Sequence, residues 1–255
     1  MKQATFVMRK LAVATGLATA ALALAPAAHA DVTGNINVVS KYVLRGITNG
    51  TGYGTENTGA AVQGGLDYSH SSGLYAGYWG SSLSYTGAPP ASNANLVSGF
   101  ENDLYAGYKG TAGPVSYGAG VIYYAYTGVG NADGAEIALT GGIGNASLGV
   151  NYLTKDLVWG NKGDTYITLG YTQPLPKDFS LGGTLMYYMY TKNGKYITDT
   201  VPATEKGSAF RGVSVTLSHP LTKTSTMGLT AVGGGEDRFG VYQKPMMVLS
   251  VGMTF

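Results

Sequence analysis

From residue 33 onward the chain alternates apolar and polar side chains with a period of two. Between residues 35 and 45, Ile36, Val38, Tyr42 and Leu44 hold even positions, while Asn35, Asn37, Lys41 and Arg45 hold odd ones. The stretch 100–109 repeats this, with Glu101, Asp103 and Lys109 on one face and Phe100, Leu104 and Tyr108 on the other. Alternation of this kind belongs to strands with one apolar and one polar side. Twelve such segments are predicted, at roughly 33–46, 59–70, 73–85, 100–109, 115–127, 134–143, 146–155, 163–173, 179–191, 208–218, 223–233 and 245–255. Arg211 stands out, because its parity is that of the apolar Val213, Val215 and Leu217. Either it reaches a lipopolysaccharide phosphate from the outer face, or a β-bulge shifts the register there.

The connections sort by length. Those at 70–73, 110–114, 144–145, 174–178 and 220–222 are short, while 47–58, 86–99 and 192–207 are long and mostly rich in Gly, Asn and Thr. An even number of strands with short turns at one end and long loops at the other predicts a transmembrane, antiparallel, up-and-down β-barrel. The apolar face of each strand then meets lipid and the polar face lines the lumen. That places Lys41, Arg45, Asp67, Glu101, Asp103, Lys109, Glu136 and Asn151 along the interior, with Thr168 and Ser214 beside them. Arg45 is expected near the outer mouth, with Lys41 about 13 Å deeper along the same strand at about 3.3 Å per residue. Tyr42, Tyr68, Tyr78, Tyr108, Tyr123, Tyr126, Tyr152, Tyr171, Tyr187 and Tyr190 recur along or near strand ends. They are expected in interfacial aromatic girdles rather than in a sugar-binding stack.

Composition agrees with a protein whose outer solvent is lipid. Only 12% of the 255 residues are charged, 40 are Gly, 20 are Tyr and none is Cys. A disulfide scaffold and any Cys-based metal or redox site are excluded. Residues 1–30 read as a cleaved secretory signal peptide: a basic opening, an apolar run over 11–25, and a small-residue site at Ala28-His29-Ala30. The domain is then 31–255, exported through the periplasm. Removing Lys2, Arg9 and Lys10 leaves 13 basic against 14 acidic residues, so no basic footprint for nucleic acid remains. At the other end, Met247, Leu249, Val251, Met253 and Phe255 share one face. A last strand of this form ending on Phe255 resembles the assembly signal read by the barrel-assembly machinery.

Ser40-Lys41-Tyr42-Val43-Leu44-Arg45-Gly46-Ile47-Thr48 resembles the S-x-Y-x-x-R-G-[IV]-[ST] opening of the TorF-type porin family of Gram-negative bacteria. The blocks 61–70 and 73–79 are similar to that family's second and third strands, and 101–108 and 179–183 to later ones. The resemblance implies integration in the outer membrane among lipid and lipopolysaccharide, and a channel whose solute it does not name.

Two functions fit the interior. The mixed charges line a path for diffusion of small polar solutes or ions. Alternatively they pair across the lumen and plug it, as side chains do in small barrels, leaving a structural or adhesive barrel that acts through its outer loops. Catalysis is not expected, and neither a cofactor nor a metal site is suggested. After cleavage only His70 and His219 remain, both predicted in short turns, away from the outer face where a barrel hydrolase needs its base. No cluster has metal-ligand spacing.

Overall fold

The computed structural model describes residues 30–48, 59–85, 97–200 and 203–255. The expected signal peptide at 1–30 falls almost wholly outside these residues, as do the centres of the first two long loops. Fourteen strands follow in order: β1 (Asp31–Val39), β2 (Val43–Leu44), β3 (Ile47–Thr48), β4 (Ala61–Ser69), β5 (Leu74–Tyr85), β6 (Val97–Ala112), β7 (Val115–Tyr126), β8 (Gly134–Ile143), β9 (Ala146–Leu153), β10 (Thr165–Pro174), β11 (Ser180–Met189), β12 (Ser208–Pro220), β13 (Ser225–Gly234) and β14 (Met246–Thr254). Twelve of them pair antiparallel with their neighbours in the chain. The ring closes where β1 pairs with both β14 and β4, so the barrel has no free edge. Strands β2 and β3 form a separate two-residue ladder.

The alternation read from the sequence decides which side each residue takes. Leu66, Leu104, Leu169 and Leu249 stand 48–57% exposed on the outer surface. Their inward neighbours Gln63, Glu101, Thr168 and Ser250 are buried. A belt of half-exposed leucine, isoleucine and valine around a polar interior inverts the usual soluble pattern and matches a lipid-facing wall. Tyr68, Tyr108, Tyr123, Tyr152, Tyr171 and Tyr187 stand in that outer belt, as expected.

Two departures from simple alternation matter. Opposite Met186 and Tyr187, strand β12 carries a β-bulge, with Phe210 paired to Tyr187 and Gly212 to Met186. Arg211 is the extra residue, and the bulge turns it inward, where it is 2% exposed. The bulge reading therefore holds and the lipopolysaccharide contact does not. The second departure is in the first strand, expected to run to residue 46 but leaving the wall after Val39. Ser40 still donates its backbone N–H to Leu249 O (2.8 Å) and accepts the Leu249 N–H on Oγ (2.9 Å), and there the ladder ends. The next residues fold into the barrel.

At the short-turn end Phe255 closes the seam. Its backbone exchanges two hydrogen bonds with Gly34, at 2.7 and 3.0 Å. Its ring lies where a side chain at residue 34 would go, a Cβ there meeting the ring at 2.3 Å. Only glycine leaves that space, so the ring covers a backbone stretch that would otherwise face lipid.

Candidate functional site

The site begins with a turn. Arg45 (φ +52°) and Gly46 (φ +81°) are the two central residues of the β2–β3 hairpin, both left-handed. Tight two-residue hairpins need that pair of conformations. Glycine takes it freely, whereas arginine is uncommon there. A Cβ on residue 46 would also lie 2.5 Å from Arg211 O, so the hairpin tip packs directly on the bulge of β12. Arg211 Nε in turn donates to Arg45 O at 3.3 Å. On the other side the Thr48 N–H donates to Gln243 Oε1 at 3.2 Å.

This anchoring sends the Arg45 side chain across the lumen. Its guanidinium grips Glu136 of β8 with both arms, Nη1 to Oε1 at 2.7 Å and Nη2 to Oε2 at 2.6 Å. Nη1 also donates to Tyr188 Oη of β11 (2.8 Å) and Nη2 to Tyr124 Oη of β7 (3.2 Å). Its Cζ lies over the ring of Tyr166 of β10, 4.8 Å from the ring centre. Strand β8 lies nearly opposite β1 in the ring, so one side chain ties the first strand's extension to the far wall. Glu136 takes two further donors, Tyr124 Oη (2.9 Å) and Asn151 Nδ2 (3.1 Å). A bidentate pair with its remaining lone pairs satisfied is the form in which a buried ion pair recovers its desolvation cost.

Beside it on β6 sit Glu101 and Asp103, 1% and 3% exposed. Glu101 accepts the hydroxyls of Tyr42 (2.6 Å) and Tyr126 (2.8 Å). Tyr42 packs against Trp79, ring centres 6.1 Å apart. Trp159, from the loop after β9, meets Tyr124 and Tyr126 edge-on at 5.9 and 6.4 Å. At this level side chains from several strands meet across the lumen.

Toward the short turns the interior groups are less enclosed. Asp67 accepts the Tyr105 hydroxyl, Lys109 Nζ donates to Ser69 Oγ at 3.2 Å, and Lys109 lies 5.8 Å from the Tyr75 ring. These groups are only half-buried.

Above the constriction a second buried pair ties three outer connections together. Arg238, between β13 and β14, holds Asp164, between β9 and β10, at 2.9 and 3.1 Å. Arg238 also donates to Thr191 O in the β11–β12 connection (3.0 Å). Asp164 accepts the Asn161 and Thr191 amides, at 2.9 and 2.8 Å. Burial pushes the Asp164 carboxyl above its ordinary range, against the downward pull of Arg238 and those amides. The fork geometry is what keeps this costly pair favourable.

A family model described as "Bacterial protein of unknown function (Gcw_chp)" matches residues 23–200. The chain belongs to this Gcw_chp family. The matched span holds all of the Arg45–Glu136 network and the Glu101–Asp103 pair, but not Arg211 or Arg238. No curated protein matches by sequence. Among solved structures, a chain titled KdgM porin is similar at 10% identity with a TM-score of 0.52, covering 88% of this chain and 98% of that one. The COG4313 outer membrane channel from Pseudomonas putida F1 is similar at 13% identity, also with a TM-score of 0.52, covering 88% and 94%. At such identities these likenesses show a shared barrel fold.

Within this Gcw_chp chain, Asp67, Glu101, Asp103, Lys109, Glu136 and Asn151 face the interior from the wall, on the strand face expected of them. Arg45 and Lys41 are inside by another route. Arg45 does not extend β1 toward the outer mouth, and Lys41 does not lie deeper on a shared strand. Lys41 is a half-buried bend residue before the hairpin, lining a cavity of about 20 Å³ with Tyr42, Arg45 and Gln63. Tyr42, Tyr126 and Tyr190, expected in the girdles, are interior. Tyr75, Tyr105, Tyr124, Tyr166 and Tyr188 were not singled out by sequence, although strict parity separates Tyr124 and Tyr126 from Tyr123, and Tyr188 and Tyr190 from Tyr187. His219 is the second-last residue of β12 rather than part of a turn, its ring 4.5 Å from Phe179.

Proposed function

We propose that the protein is a porin-like channel of the bacterial outer membrane, of the TorF type, passing small polar solutes or ions by diffusion. The observation that carries this reading is a closed barrel with a lipid-like exterior and a polar interior, half-buried toward the short turns and crossed by charged groups farther in. In it Lys41, Arg45, Asp67, Glu101, Asp103, Lys109, Glu136 and Asn151 line the path. The acids of β6 and β8 gather about Arg45, and such a transverse field would orient a passing dipole in a low-dielectric space. Residues 1–30 direct export through the periplasm. The working partners are lipid, lipopolysaccharide, the assembly machinery and the solute itself. Chemistry on a substrate has no place in this scheme. Swelling of proteoliposomes tests it: vesicles carrying the refolded protein should swell in small polar solutes faster than protein-free vesicles, and equal rates would contradict a channel.

A second reading rests on one observation, the Arg45 network that spans the lumen. If that network never opens, the barrel is structural or adhesive and acts through its outer loops. Neither the native protein nor a variant lacking Arg45 would then promote swelling.

Phe255 serves assembly in this scheme. Phe255→Asp is expected to lower the amount of folded protein in the outer membrane of cells while synthesis and secretion continue, because it places a charge at the lipid edge of the seam. Native membrane levels of the Phe255→Asp protein would remove that role.

A further inference from the structure

Glu101 and Asp103 are unequally served by their surroundings. Strand β6 sets them two residues apart on the lumenal face, both almost fully buried. The hydroxyls of Tyr42 and Tyr126 are given to Glu101, and that of Tyr124 to Glu136. Arg45, the basic group acting on both acids, is committed with both arms to Glu136. Oδ1 of Asp103 is buried and accepts no hydrogen bond. A buried carboxylate oxygen without a donor carries a large desolvation penalty unless something positive meets it. Three carboxylates thus gather about one guanidinium, and both of its arms go to Glu136.

We infer that Asp103 and Glu101 bind a hard divalent cation in the constriction, so that the channel proposed above is a cation pathway with a saturable site. The donors on offer are the carboxylate oxygens of the two acids, backed by the phenol oxygen of Tyr42. Such donors favour calcium- or magnesium-like ions over copper or zinc. Among the described residues no group of three acidic, histidine or cysteine side chains surrounds a point. Water must therefore complete the shell, and the ion stays exchangeable, which conduction requires. The substrate class rests on the channel reading; the binding site does not.

Terbium luminescence tests the site without relying on conduction. Tb³⁺ is a hard ion that accepts excitation from nearby tyrosine, and Tyr42, Tyr124 and Tyr126 surround the two acids. The refolded full chain is expected to give tyrosine-excited Tb³⁺ emission that Ca²⁺ displaces. Outer-shell changes alone cost about 10- to 100-fold in metal affinity, so Asp103→Asn and Glu101→Gln should each weaken binding by at least about tenfold. Asp178→Asn, in an exposed turn at the far end, should leave emission unchanged. In planar bilayers Ca²⁺ should reduce the potassium current of the native protein and not that of Asp103→Asn. Asp103-dependent emission from a protein that conducts nothing would uphold the site and remove the channel. Equal emission from native protein and both folded variants, with or without conduction, would overturn the site and leave a shared proton as what neutralises Asp103.

Discussion

Arg45→Ala is expected to destabilise the refolded barrel by about 3–5 kcal/mol, the cost of removing one partner from a buried ion pair. The change strands Glu136, about 1% exposed, with only Tyr124 and Asn151 as donors. It also frees the Tyr188 hydroxyl and takes the cation from the Tyr166 ring. Urea titration in detergent, followed by tryptophan emission, measures the loss, because Trp159 sits edge-on to Tyr124 beside the broken pair. Arg45→Met combined with Glu136→Gln removes both charges and should restore most of the stability. Apolar or neutral replacements of a buried pair are often close to neutral. A full loss in the double variant would mean that packing of the hairpin, rather than charge pairing, dominates.

Arg238→Ala should act on the outer loops and spare the wall. Asp164 would remain buried against two backbone amides without its cation, and Thr191 O would lose a donor. Because the three tied connections lie outside the ladder, the loss of about 3 kcal/mol or more falls on local opening. Each 1.4 kcal/mol is a factor of ten, so a protease added from outside should cut the connection after β11 about 100-fold faster. The unfolding midpoint of the barrel should move little. If cleavage is unchanged, Asn161 is sufficient to hold these loops: its Nδ2 already donates to Thr191 O and Ile197 O at 2.8 and 2.9 Å.

The wall was legible because its chemistry is periodic. Alternation on β4 and β6 placed Asp67, Glu101, Asp103 and Lys109 inside, since a strand inserted between lipid and a polar lumen has one choice of face for each residue. The hairpin was not legible as a hairpin. Residues 40–46 keep the same alternation, and nothing in a period of two says that a strand leaves its sheet after Val39. The motif that resembles the TorF-type opening falls on this segment, and the structure gives its polar and glycine positions distinct tasks. Ser40 ends the ladder, Tyr42 reaches Glu101, Arg45 crosses to Glu136, Gly46 makes the turn against Arg211, and Thr48 meets Gln243. The Asp164–Arg238 clasp had no local signal, because its partners lie 74 residues apart in loops with no repeating pattern. Arg211 was flagged by its wrong parity alone, and only the pairing of β11 with β12 shows the bulge that turns it inward.

In the proposed channel the path is crossed by Arg45, and conduction requires that level to admit ions. Single-channel recording in planar bilayers, on the native protein and on Arg45→Ala refolded in parallel, tests it most directly. The native protein should show small, discrete conductance steps. Arg45→Ala should show larger ones with a reversal potential shifted toward cations, because Glu101, Asp103 and Glu136 then face the path without a guanidinium. That shift should shrink as salt approaches 1 M, where screening acts within about 3 Å. A variant that folds as a barrel yet conducts nothing at any voltage, alongside an equally silent native protein, would contradict the channel and leave a plugged structural barrel.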